Sequence, residues 1–460
     1  MAEQFNEQGG AATMDPNPIR RWLQSKLLTK LISHKHLQKN RDRQEKRRIK
    51  SNRRHIVEYF HQVDDPYSHL AAQCLSKLIK RYNIELVCHI VTATAGKNSP
   101  EPDLLFKLSR TDASSIASGY RLTFHNPPTD LSKHLIVLAK AVLVSLSSAS
   151  SQSFIDYVVA VGEALWSSDQ ATLQALANKL GTINDDQVAQ RIHQSNARRE
   201  RLGHYASAMF YFSGEWYWGV DRLYHLEKRF AELGIDHEAG KPILMPRPAL
   251  AENPLQDEGN LTLEFYASLR SPYTAIVFDR VIDLVASTGI NLKLKPVLPM
   301  VMRGVPATRE KGMYIFTYAA REARESGVNF GNFYDPIGNP TRRCYSLYAW
   351  ACDQNKGIEL IASFLNCSFA KGINTNNDKG LKQVVEQAGL DWQEAKTVLG
   401  HRGWEDDLEI NRQAMYNAGL WGVPSFRLLN DQGQQILTVW GQDRLWLIAR
   451  EIQSQIRLRN

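Results

Sequence analysis

Residues 55–70 read HIVEYFHQVDDPYSHL and residues 260–275 read NLTLEFYASLRSPYTA. Each stretch alternates apolar and polar residues as a half-buried strand does, then breaks at a Pro-Tyr pair that opens a helical pattern. A second echo lies downstream, where WGVDRLYHLEKRF at 218–230 matches WGQDRLWLIAREI at 440–452. Two matches in the same order and at comparable separation argue for an internal duplication.

Working outward, each unit continues from its first strand into an amphipathic helix, 67–82 in one and 273–287 in the other. Second strands follow at 84–91 and 290–297, and the β–α–β order implies parallel pairs with right-handed crossovers. Long helical stretches come next, at 131–150 and 154–166 in the first unit and at 314–326, 341–354 and 358–369 in the second. The second unit then shows strands at 425–430 and 435–440 around an Asp431-Gln432-Gly433 turn, and a closing helix from Asp443. The predicted class is α/β, with two tandem thioredoxin-like domains that each carry an inserted helical subdomain. The domains are placed at 53–235 and 258–456, separated by a linker at 236–257 that contains Pro242, Pro246, Pro248 and Pro254.

The whole-chain features bound the function. At 460 residues the chain exceeds the size at which one core usually keeps growing, so two domains are natural. Apolar residues at 43% and charged residues at 23% match an ordinary globular protein, and no run reaches the roughly 18 apolar residues that span a bilayer. The N-terminus shows no basic start, apolar core and cleavage site, so the expected compartment is the cytoplasm. Cys74, Cys88, Cys344, Cys352 and Cys367 form no CxxC pair and are read as buried thiols. The histidines, His34, His36 and His401 among them, lack metal-ligand spacing, so no metal is expected.

The formal charge of +8 is concentrated in a basic arm at 1–52, read as partly helical or disordered. Between Arg20 and Arg54, 14 Lys and Arg stand against Asp42 and Glu45, which leaves the rest of the chain close to neutral. Ile19, Trp22, Leu23, Leu27, Leu28, Leu31 and Ile32 recur at steps of three and four, as on one helical face. Such a helix packs on its own domain, lies on an anionic membrane surface or docks on a protein partner. Residues 19–54 are therefore the candidate partner segment, and a membrane-peripheral location stays open. Nucleic acid is the least favoured partner, because no aromatic interleaving or nucleic-acid motif accompanies the charge.

Three motifs of the second unit carry a resemblance to a known family. Ser271-Pro272-Tyr273, Trp421-Gly422-Val423-Pro424-Ser425-Phe426 and Trp440-Gly441-Gln442-Asp443-Arg444-Leu445 resemble 2-hydroxychromene-2-carboxylate isomerases and kappa-class glutathione transferases, which are DsbA-like thioredoxin-fold proteins. The resemblance covers essentially all of the second unit. It implies a glutathione-dependent isomerase or transferase in which Ser271 hydrogen-bonds the glutathione sulfur and favours its thiolate. Chemically, the motif puts a hydroxyl at a helix N-terminus, where unpaired N–H groups and the dipole favour an anion. The same residue types also make a plain N-cap followed by Pro at the first helical position.

The resemblance further implies a cis peptide before Pro424, with the main chain of Val423 holding the cysteinyl backbone of glutathione. It implies that Asp443 meets the γ-glutamyl ammonium group, with Gln442 beside it where the kappa class has serine. A family asparagine after the second strand has no match in PVLPMVMRGVPATREKG. A small electrophilic second substrate would lie among Tyr273, Trp404 and Trp421, with Arg303, Arg309 and Lys311 available to meet a carboxylate. Ordinary packing and surface charge explain these residue types equally well.

In the first unit Asp65 occupies the place of Ser271, and the stretch 205–210 lacks the proline, although Asp221 remains. That unit is read as a degenerate, structural copy. Dithiol chemistry is disfavoured, because both helix-start positions lack the nucleophilic cysteine that exchange requires. The alternative reading is a non-catalytic thioredoxin-like interaction protein recruited by its basic arm. Oligomeric state is not legible.

Overall fold

The computed structural model describes residues 15–305 and 307–459, so readings that rest on residues 1–14 lie outside it. By packing, the chain divides into two compact units, one made of residues up to 37 together with 250–460, the other of residues 38–249.

In chain order, α1 (Pro18–Ile32) and α2 (His34–Lys50) precede β1 (Ile56–His61), α3 (Pro66–Arg81) and β2 (Glu85–Ile90). The helices α4 (Pro102–Ala117), α5 (Lys133–Ala149), α6 (Ser151–Trp166), α7 (Gln170–Leu180) and α8 (Asp185–Arg201) follow, then β3 (Met209–Phe212), β4 (Glu215–Trp218) and α9 (Leu223–Glu232). The order then starts again with β5 (Thr262–Ala267), α10 (Pro272–Thr288) and β6 (Asn291–Pro296). After these come α11 (Arg309–Glu325), α12 (Asn339–Tyr345), α13 (Tyr348–Asp353), α14 (Gly357–Phe369), α15 (Asp378–Gln387), α16 (Trp392–Val398) and α17 (Trp404–Asn417). The chain closes with β7 (Ser425–Leu429), β8 (Gln435–Trp440) and α18 (Leu445–Arg459). Among the described residues no helix is long and apolar enough to cross a membrane.

In the unit that contains 250–460, the sheet order is β6-β5-β7-β8. β5 is central, parallel to β6 and antiparallel to β7. Leu263, Phe265, Tyr266 and Ala267 are all buried, and Phe265 stacks on Phe426 at 4.9 Å between ring centroids and packs at a tilt on Phe278 of α10 at 5.5 Å. Glu264 is also buried. Burial alone would raise its pKa, but hydrogen bonds from Arg427 and Tyr266 bring it below the usual range. The turn between β7 and β8 uses Gly433 at φ 75°, and Asn430 Oδ1 accepts from the N–H groups of Gln432 and Gln434.

In the unit 38–249 the order is β2-β1-β3-β4, with β1 central in the same pattern of pairings. Here α2 is anchored by buried Arg41, which donates to Glu215 at 2.7 Å and to Glu232 at 3.1 Å. The Pro-rich stretch is divided between the units: Asp236 pairs with Arg81 and the N–H of Met245 donates to Glu227, whereas Leu255 and Asp257 bond to Gln453 and Thr288.

Two expectations are corrected. Helix α1 buries Arg21, Ser25 and Ile32 and half-buries Leu28 and Leu31, while Ile19, Trp22, Leu23 and Leu27 point outward, so the seven apolar positions do not form one packing face. Arg21 donates to the carbonyls of Asp335 and Ile337 at 2.6 Å each, a bidentate anchor that outweighs the apolar alternative. Of the cysteines, Cys352 is exposed rather than buried.

Because Phe426 is almost fully buried and stacks on the central-strand ring of Phe265, Phe426→Ala is expected to cost about 3–5 kcal/mol, read as a lowered denaturation midpoint.

Candidate functional site

The site is built where the central strand β5 ends. The chain turns through 268–270, with Arg270 forming a double hydrogen bond to Asp335 and the N–H of Leu269 donating to Tyr345 Oη. Ser271 then caps α10: its Oγ accepts from the N–H of Thr274 at 3.1 Å, and Pro272 takes the first helical position. The same Oγ lies 3.3 Å from the carbonyl of Val423, to which it donates. Capping and proximity to the loop before β7 are thus two functions of one hydroxyl.

That loop is tightly held. The Val423–Pro424 bond is cis. Ser425 Oγ donates to the carbonyl of Gly422 at 2.6 Å, and the N–H of Gly441 donates to the carbonyl of Pro424 at 3.0 Å, tying the loop to the end of β8. A Cβ on Gly422 would stand 2.5 Å from Nε1 of Trp440, so only glycine admits this approach. Trp421 meets Trp440 edge-on at 5.7 Å.

After Gly441 come Gln442, Asp443 and Arg444, all buried. Gln442 Nε2 donates to Tyr318 Oη at 3.1 Å and to Glu322 at 3.3 Å, and Tyr318 packs edge-on against Tyr273 at 5.7 Å. Asp443 forms an ion pair with Arg444 at 3.3 Å, which offsets its charge. Lys311 Nζ lies 5.4 Å from the centre of the Trp421 ring, and burial lowers its pKa to about 8.

Of the expected site residues, Ser271, Val423 and Pro424 are brought together directly. Gln442 reaches Tyr273 through Tyr318, and Trp421 is joined by Lys311. Trp404 lies at the start of α17, where it stacks on Tyr345 at 5.8 Å, and so touches the residue that supports the turn before Ser271. Arg309 is exposed at the start of α11, while Arg303 donates to the carbonyl of Leu298. Tyr318 and Glu322 escaped the sequence reading. Their only signal is the spacing of four with Tyr314 on α11, which reads equally as core.

In the unit 38–249 the corresponding corner is closed by its own side chains. Asp65 caps α3 and accepts from the N–H of Tyr67 and of Ser68, from Ser68 Oγ at 2.7 Å and from Ser207 Oγ at 3.1 Å. Ala208 stands where the other unit has Pro424, and the N–H of Gly219 donates to its carbonyl as that of Gly441 does to Pro424. Desolvation pushes the Asp65 pKa up to about 6 even though the Ser68 and Ser207 bonds oppose it. Asp221 forms an ion pair with Arg222 at 3.2 Å and accepts from Tyr120 Oη at 3.0 Å.

Residues 262–453 match a family described as the DSBA-like thioredoxin domain. This part of the chain is a DsbA-like thioredoxin domain. Solved structures similar to the chain include a 2-hydroxychromene-2-carboxylate isomerase, at 17% identity over 43% of this chain and 97% of that one, with a TM-score of 0.36. A probable DsbA oxidoreductase from Streptomyces coelicolor is 17% identical over 42% of this chain and 91% of that one, with a TM-score of 0.35. The cytosolic disulfide reductase DsbM from Pseudomonas aeruginosa with GSH is 16% identical over 43% and 98%, with a TM-score of 0.32. These scores carry no functional argument. No curated protein sequence matches the chain.

The Asp65 carboxyl holds its proton more tightly when folded, at about 6, than at its ordinary value of 3.8. The associated stability is therefore present below about pH 4 and is lost as pH rises through about 6. Measured against Asp65→Asn, which keeps the cap, the wild type is expected to lose thermal stability across that window.

Proposed function

We propose that the DsbA-like domain is a glutathione-dependent isomerase or transferase of the 2-hydroxychromene-2-carboxylate isomerase or kappa-class type, with Ser271 stabilising the glutathione thiolate. The observation that carries this reading is the Ser271 hydroxyl, set at the N-terminus of a 17-residue helix and 3.3 Å from the carbonyl of Val423. Thiolate is the reactive form of a thiol, and the positive end of the α10 dipole together with the Ser271 hydroxyl, on turning its proton from the Val423 carbonyl to the sulfur, would supply the main catalytic demand. The thiol proton leaves to solvent and the sulfur adds to an electrophilic carbon. The π pair displaced by this addition moves to a conjugated carbonyl oxygen as an enolate; isomerisation follows when, after bond rotation, that pair returns and expels the thiolate, and conjugation when the enolate takes a proton from solvent instead.

Val423 offers its main chain to the extended cysteinyl backbone, beside Pro424. Gln442 Oε1 is buried without a hydrogen-bond partner among the described residues, which supports a ligand donor there, with Asp443 adjacent for an ammonium group. Tyr273, Trp404 and Trp421 are the proposed walls for the second substrate. We read residues 53–235 as a second, degenerate DsbA-like domain. The matching strand orders support this, as do the equivalences of Asp65 with Ser271, Ala208 with Pro424 and Gly219 with Gly441. The cytoplasm is the proposed compartment.

A non-catalytic thioredoxin-like interaction protein is the second reading. It is favoured by the pairing of Asp443 with Arg444, which repeats that of Asp221 with Arg222 in the unit where Asp65 closes the corner.

Calorimetric titration with glutathione, combined with a pH titration of thiolate absorbance, separates the two. Wild type is expected to bind glutathione with its thiol pKa lowered, and Ser271→Ala to raise the bound thiol by roughly one unit or more and to weaken binding. Absence of binding, or a Ser271→Ala protein that binds with the same thiol pKa, would sink the enzymatic reading.

A further inference from the structure

Helix α1 is docked with its polar side inward. Arg21, Ser25 and Thr29, spaced by four, face the segment 333–337, and Ile32 is buried on the same side of the helix. Arg21 donates to the carbonyls of Asp335 and Ile337 and pairs with Asp15. Ser25 Oγ accepts from the N–H of Asp335 at 3.0 Å, and Thr29 Oγ1 accepts from that of Phe333 at 3.0 Å. Arg324 donates to the carbonyl of Ile32 at the other end. These bonds fix the rotation of the helix about its own axis.

The opposite arc is therefore presented to solvent. It carries Ile19, Trp22, Leu23 and Leu27, which are 70%, 49%, 54% and 58% exposed, interleaved with exposed Lys26 and Lys30. Four large apolar side chains on one exposed arc of one helix are a standing cost in water unless something covers them. Neither the thiol site nor the sheet core uses them.

We propose that this arc of α1 is a peripheral membrane-binding surface that lies on anionic lipid. Charge decides for lipid over a protein groove. Lys26 and Lys30 fall inside the apolar arc rather than on its far side, where a dry groove would have to bury them. At a bilayer surface the apolar stems of lysine lie along the hydrocarbon while the ammonium groups meet phosphate. Trp22, with an apolar ring and a polar N–H, suits the same boundary. Arg20 is exposed on the same helix and α1 carries no acidic residue, so the arc brings its cations to an anionic surface without an opposing charge from the helix itself. The arc lies flat on the surface, because no described helix is able to span.

The test is co-sedimentation of the full chain with phosphatidylcholine vesicles with and without phosphatidylserine. Wild type is expected to sediment with the anionic vesicles only and to be released by salt. Trp22→Ser, Leu23→Ser and Leu27→Ser combined, and separately Lys26→Glu with Lys30→Glu, are each expected to lower partitioning by roughly ten-fold or more. All five positions are exposed, so Arg21 and Ser25 still hold the helix, and circular dichroism checks the fold. The proposal is overturned if wild type ignores anionic vesicles or if both variants partition as wild type does. Concentration-dependent self-association that the serine variant abolishes, without vesicle binding, also overturns it and assigns the arc to a second copy. Glutathione titration of the same variants is expected to be unchanged, which keeps this outcome separate from that of the thiol site.

Discussion

The hydrogen bonds made by the Ser271 hydroxyl tie the start of α10 to the loop before β7 in the DsbA-like domain. As a cap, the oxygen satisfies one of the first orphan N–H groups of α10 and so fixes where that helix begins. As a donor to Val423, it fixes how close the loop before β7 comes to that helix start. Both partners are held in turn by the sheet, because β5 leads into Ser271 and β7 leads out of Pro424, and β5 and β7 are paired side by side. A buried central strand thus converts sheet register into the separation of two loop residues.

The same register produces a different corner in the unit 38–249. There β1 and β3 pair as β5 and β7 do, and the helix start and the loop meet again, but the residues are Asp65 and Ser207. A carboxyl accepts more hydrogen bonds than a hydroxyl does, and here it collects donors from Tyr67, Ser68 and Ser207. The corner is saturated by the chain itself. The corners differ in the cap, Ser271 against Asp65, and in the facing loop, Val423–Pro424 against Ser207–Ala208, and only the carboxyl is closed over by a side chain from that loop.

Polar burial also organises the periphery. Arg21 at one helix and Arg41 at the next are both buried, and each is accepted as a buried cation because carbonyl or carboxylate oxygens receive its fork. In α1 that anchoring turns the apolar side chains outward, which packing by hydrophobic burial alone would not do. Specific hydrogen bonding at three or four positions decided the orientation of the helix.

Much of the architecture was legible because it rests on local rules. Pro-Tyr after a strand pattern, a capping Ser or Asp, and the Asn-Asp-Gln-Gly turn depend on residues within a few positions of one another, so the sequence alone placed α10, β6, β7 and β8 to within about two residues and β5 within the stretch 260–275. The adjacency of Ser271, Val423 and Pro424 was implied only by the family resemblance of their motifs, and the pairing of β5 with β7 is what brings them together. Tertiary structure alone decided which face of α1 is buried, that Tyr318 and Glu322 receive Gln442, and that Ser207 closes on Asp65. Those contacts join residues more than a hundred positions apart, between groups whose types serve equally as core, surface or cap, and only the folded chain chooses among the partners.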